Sequence, residues 1–98
     1  PVALPNLMRV VWTATTRVSR SGKIIGKDQR LTVYEALKCI TDWSAYQHFE
    51  EKTKGTLEKG KIADLVLLNK NPLKVTLEEV KDIVVMETIK EGETVFKR

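Results

Sequence analysis

Cysteine and histidine each occur once in the 98-residue sequence. A single thiol excludes an internal disulfide framework and a Cys-rich zinc site. His48 stands alone, without His, Cys or carboxylate neighbours at ligand spacing, and so makes a poor metal site. No low-complexity tract or internal repeat is present, and no apolar run nears the ~18 residues of a membrane span. The opening PVALPNLMRV lacks the basic-then-apolar order of a secretory leader. A cytoplasmic chain with no membrane partner is therefore expected. The excess of positive charge is small, 17 Lys and Arg against 13 Asp and Glu, and the two signs are mostly interleaved. That pattern does not suggest a nucleic-acid partner. The glycines form no phosphate cradle. No Ser, Cys or Lys stands near an identifiable base and orienting group. The residues alone supply no catalytic residue, no metal ligand and no cofactor site.

What is present is a foldable pattern, 42% apolar and 31% charged, suited to one small domain or a piece of a larger one. Pro5 and Asn6 suit a helix start, and the spacing predicts a helix over 6–18. Leu7, Val10, Val11, Ala14 and Val18 form one stripe, while Met8, Trp12 and Thr15 extend the apolar character to a second face. A helix apolar on two sides needs neighbours on both. Thr32-Val33-Tyr34-Glu35 is a capping box, followed by Val33, Ala36, Leu37 and Ile40 as a buried stripe. Cys39 beside that stripe reads as packing. A short third helix is expected over 44–50.

Past Gly55 the period changes. Residues 56–61 read as a short strand and glycine turn, and 63–68 as a strand covered on both faces. Asn71-Pro72 breaks the run, and Thr76-Leu77-Glu78-Glu79 is a second capping box. Strands are expected over 83–90 and 94–96, turning at Glu91-Gly92. Gly60 suits a positive φ, and Asp64 suits an acceptor for backbone amides beside it.

The segment 19–30 is polar and basic. Arg17, Arg20, Lys23, Lys27 and Arg30 are opposed by Asp28 alone. Such a segment reads either as a solvated, mobile loop or as a surface for an anionic partner.

The ordered stretches Leu31–Leu37, Gly55–Leu68, Asn71-Pro72 and 85–95 resemble the metal-dependent amidohydrolases, and the phrasing of 12–20 and 45–51 looks most like amidohydrolase family 3. The run Gly55-Thr56-Leu57-Glu58-Lys59-Gly60-Lys61-Ile62-Ala63-Asp64-Leu65-Val66-Leu67-Leu68 resembles their G-x-I-x-x-G-K-x-A-D-[LF]-V-V-L stretch. Asn71-Pro72 fits the [DN]-P that follows, and 85–95 fits their closing V-x-x-T-x-x-x-G-x-x-V. Leu31-Thr32-Val33-Tyr34-Glu35-Ala36-Leu37 fits their L-[ST]-x-x-E-A-L.

The resemblance implies an α+β chain: the terminal helices of a TIM-type (β/α)8 barrel over 1–53, then antiparallel strands of a composite β-sandwich domain over 54–98. It implies a C-terminal part of an enzyme that hydrolyses carbon–nitrogen bonds other than peptide bonds. The parent would hold a divalent metal, zinc or similar. None of the family's metal ligands or its catalytic Asp maps onto a residue here, so the isolated chain is expected to be inactive. Pro1, Val2, Ala3 and Leu4 would form an active-site loop, with Arg17, Arg20 and Lys23 as a possible substrate-side loop. The expected partner is the missing N-terminal part of the parent, with a homodimer or higher oligomer in isolation. The alternative is a stand-alone, non-catalytic α+β interaction module that uses its basic loop.

Overall fold

The computed structural model describes residues 6–98 and shows a small α+β chain. Helices α1 (Leu7–Thr16), α2 (Val33–Ile40) and α3 (Asp42–Gln47) come first. Strand β1 (Leu65–Leu68), the one-turn helix α4 (Leu77–Val80), and strands β2 (Val85–Lys90) and β3 (Glu93–Lys97) follow. The chain forms two compact units, residues 1–36 with 70–83 and residues 37–69 with 84–98.

In the first unit α1 packs against α4. The Asn6 carboxamide caps α1 by accepting from the Arg9 amide at 3.2 Å. The buried face of α1 is Met8, Val11, Trp12 and Thr15, and α4 contributes Val80, with Ile83 just beyond it. The expected stripe is thus only partly the buried one: Leu7 is 63% exposed and Val10 52% exposed. The second face, Met8, Trp12 and Thr15, finds its cover within the chain together with Val11, and Leu7 and Val10 of the first stripe stay open.

Helix α1 stops at Thr16, two residues short of its expected end. The hydroxyls of Thr15 and Thr16 both donate to the Trp12 carbonyl at 2.9 Å, a local bond that competes with helix propagation. Arg17 then adopts φ 58, and Val18 pairs with Ile24 in an antiparallel bridge. Both capping boxes form. Glu35 accepts from the Thr32 amide at 3.0 Å, and the Thr32 hydroxyl accepts from the Glu35 amide at 3.1 Å. Glu79 accepts from the Thr76 hydroxyl at 2.9 Å and its amide at 3.4 Å.

The second unit holds a three-stranded antiparallel sheet in the order β1-β2-β3. Glu91 (φ 51) and Gly92 (φ 82) make the two-residue turn between β2 and β3, as left-handed hairpin turns require. Strand β1 is not covered on both faces as its apolar run suggests: Val66 is 50% and Leu67 46% exposed. Residues 56–61 form turns and no strand; Lys61 closes one by donating its amide to Glu58 O at 3.1 Å. Helix α3 begins at Asp42, earlier than expected, because the Thr41 carbonyl already accepts the Ala45 amide at 3.0 Å.

Candidate functional site

The basic segment after α1 is solvated, with residues 20–30 exposed, and it forms a hydrogen-bonded hairpin. The Ser19 amide donates to Lys23 O at 2.8 Å, and the Ile25 amide donates to Arg17 O at 2.8 Å. The Gly22 amide closes the tip on Ser19 O at 2.9 Å, and the Ser19 and Ser21 hydroxyls lie 2.9 Å apart. Gly26, at φ 63, leads into a 3-10 turn over Lys27–Gln29. The Leu31 amide then returns the chain to Ala14 O at 3.0 Å.

Of the three cations expected on this loop, Arg17 is the one the fold anchors. Its amide donates to Thr13 O at 2.7 Å, and its Nε donates to Ile25 O at 2.8 Å. A Cβ placed on Gly26 would lie 3.0 Å from Arg17 Nη2, so the glycine leaves room for the guanidinium. Arg20 is exposed at the hairpin tip, and Lys23 joins the hairpin through its backbone. No hydrogen bond or ion pair joins the three side chains among the described residues. A groove of about 140 Å³ lies beside Arg17, lined also by Thr13, Val18, Ser19 and Ile25. Gly26 was not foreseen as part of this arrangement; its signal was a glycine inside a basic loop. Pro1, Val2, Ala3 and Leu4, the other expected loop, lie outside the described residues.

The remaining chemical candidates are scattered. His48 is exposed at the end of α3, where its amide donates to Ala45 O at 3.2 Å. Cys39 is exposed, not packed as expected. Trp12 is a core residue, with Lys81 and Arg9 over its ring at 5.0 and 5.4 Å. Asp64 accepts the Glu91 amide at 2.8 Å, so it ties β1 to the β2–β3 turn. This is the expected acceptor role with a distant partner in place of an adjacent one. Among the described residues no group of three or more His, Cys, Asp or Glu side chains converges. The described donor set therefore does not fit a divalent metal. No described helix is long and apolar enough to cross a membrane.

These exposed apolar faces and the anchored basic hairpin fit a small α+β element. The sequence model described as "Amidohydrolase family" matches residues 1–96. The chain belongs to that family. It is 28% identical over 89 residues to "N-substituted formamide deformylase" of Arthrobacter pascens, covering 91% of this chain and 16% of that protein. It is 27% identical over 79 residues to "Putative amidohydrolase YtcJ" of Bacillus subtilis (strain 168), covering 81% of this chain and 15% of that protein. The chain thus spans about a sixth of the length of these relatives. No solved structure matches it.

Proposed function

We propose that the chain is a C-terminal part of a metal-dependent amidohydrolase that hydrolyses non-peptide carbon–nitrogen bonds in the cytoplasm. The observation that carries this reading is the family match along residues 1–96. The open face of α1 at Leu7 and Val10 and the half-covered β1 support it, since they expose apolar side chains that a larger body would cover. In this reading residues 1–53 end the barrel and 54–98 add strands to a composite sandwich. The metal and the catalytic carboxylate belong to the rest of the parent, and the isolated chain does not turn over substrate. Pro1, Val2, Ala3 and Leu4 together with the hairpin of Arg17, Arg20 and Lys23 would wall the substrate side.

A chimera tests the reading. The matched 89 residues of the formamide deformylase are replaced by the corresponding part of this chain, and hydrolysis of an N-substituted formamide is measured. Turnover by the chimera and none by this chain alone is expected. Turnover by the isolated chain, or a folded chimera without activity, would overturn it. The stand-alone interaction module gains no specific support.

A further inference from the structure

We propose that Arg17 anchors a small oxyanion-binding site, which takes a carboxylate or phosphate group carried on a short apolar body. A surface arginine ordinarily samples many rotamers, and ordering it on a ligand costs entropy. Here that ordering exists before any ligand arrives. The backbone of Arg17 is fixed from both sides, by Thr13 O at 2.7 Å and by the Ile25 amide at 2.8 Å. Its Nε is spent on Ile25 O at 2.8 Å. The guanidinium lies close against Gly26, where a Cβ would come within 3.0 Å of Nη2. The outer Nη donors of the fork are left for a planar or tetrahedral oxyanion, the geometry that guanidinium groups match.

No acidic residue occupies that position. Arg17 forms no ion pair with a described residue, whereas Lys54 is paired with Glu50 at 2.8 Å and Lys61 with Glu58 at 3.7 Å. Arg20, Lys23, Lys27 and Arg30 also form no ion pair among the described residues. Their field raises the local concentration of anions. The groove of about 140 Å³ gives the ligand its second half: Val18 and Ile25 offer aliphatic wall, while the Thr13 hydroxyl is spent on Arg9 O at 2.9 Å and the Ser19 hydroxyl pairs with that of Ser21 at 2.9 Å. Its volume suits a chain of a few carbons. No aromatic residue occurs between positions 17 and 30, so the stacking platform of a single-stranded nucleic-acid site is lacking. If the hydrolase reading holds, its substrate carries an acidic group; that extension rests on the reading, while the binding itself does not.

The test is a titration of the full chain with butyrate, inorganic phosphate and butyramide at constant ionic strength. The Arg17 Nε–H and the backbone amides of Ser19 and Ile25 are followed by nuclear magnetic resonance. Saturable shifts are expected with butyrate and phosphate, tighter for butyrate, and butyramide should bind at least about tenfold more weakly. Arg17→Lys keeps the charge but loses the fork, so butyrate affinity should fall about tenfold, and Gly26→Ala should lower it similarly by displacing the guanidinium. Arg20→Gln should change it less than about threefold. The butyrate and butyramide comparison needs no variant, so it stands even if a substitution unfolds the chain. Non-saturable butyrate shifts, equal binding of butyramide, or unchanged affinity in folded Arg17→Lys would overturn the site. Phosphate binding as tight as butyrate would overturn its apolar half. Turnover plays no part in the readout, so a failed titration and an inactive chimera are separate results.

Discussion

Gly55 sits against Ala45 so closely that a Cβ on the glycine would lie 2.8 Å from the Ala45 Cβ, and 3.2 Å from the Asp42 Cα. Ala45 is buried in α3, and Gly55 adopts φ 104. Two separate costs therefore meet at one position, a steric clash with helix α3 and a backbone conformation that other residues resist. Gly60, at φ 95, carries the second cost alone, because nothing lies within 4 Å of its added Cβ. Gly55→Ala should destabilise the chain by about 2–4 kcal/mol and Gly60→Ala by about 1–2 kcal/mol. Urea unfolding of the two variants side by side checks the order. Equal losses would mean that α3 yields to the new methyl group.

Asp64 accepts the Glu91 amide across 27 residues of chain. The pair is exposed, so water can replace the lost bond in part. Asp64→Ala should cost about 1 kcal/mol, below the ~1.5–3 kcal/mol of hydrogen bonds to charged groups because the site is open to water, and Asp64→Asn should restore most of it. In the proposed full-length enzyme, turnover per folded molecule should stay near normal. A large loss of turnover in a well-folded Asp64→Ala enzyme would make Asp64 part of the chemistry.

The capping boxes make stability depend on acid. Backbone and side-chain hydrogen bonds from Thr32 hold the Glu35 carboxyl below its ordinary pKa. Glu79 is lowered too, first by the Thr76 hydroxyl, then by its amide, with Lys70 3.6 Å away adding to the effect. A depressed folded pKa means that the unfolded chain takes up the proton first as pH falls. The contribution is complete above the ordinary glutamate value of about 4.3 and disappears as pH drops through the lower folded values. Circular dichroism melts across that window should show a falling midpoint, and the fall should be smaller in a Glu35→Gln, Glu79→Gln double variant. An identical acid profile in that variant would place the sensitivity elsewhere.

What could be read in advance divides by the range of the interaction. The two capping boxes span four residues each, so spacing alone located them, and both hydrogen-bond sets form at Glu35 and Glu79. The Glu91-Gly92 turn was legible for the same reason. Local pattern failed where distant backbone atoms decide. The loop 19–30 contains no apolar stripe to mark it as ordered, yet main-chain bonds from Ser19 to Lys23 and Ile25 to Arg17 pin it. Periodicity could not say which of α1's two apolar faces the chain itself covers; Val80 and Ile83, some 70 residues later, selected the Met8, Val11, Trp12 and Thr15 side. The site was half legible: Arg17 stood out by charge, but its fixation by Ile25 O and the space left by Gly26 depend on the hairpin's register.

The uncovered surfaces lead to the last prediction, that the chain self-associates in isolation. Leu7 and Val10 keep one face of α1 apolar and open, although Val11 and Trp12 no longer add to it. Strand β1 is an edge of its sheet, and its four residues Leu-Val-Leu-Leu contain no charge to discourage pairing with another strand. An exposed apolar helix face and an uncharged strand edge each favour a partner, and a two-fold dimer is the simplest closed arrangement. The hairpin is an unsuitable hinge for exchanging α1 between chains, since backbone bonds tie it to Arg17 and Ser19; the association should therefore proceed by surface contact. Light scattering at micromolar concentration should give a mass above that of the 11.2 kDa monomer. Replacing both Leu7 and Val10 with Glu should shift the mass toward the monomer, and placing Lys at Val66 should do so independently if the β1 edge takes part. A strictly monomeric mass for the unaltered chain, with α1 resistant to proteolysis, would show that the chain tolerates these open faces without a partner.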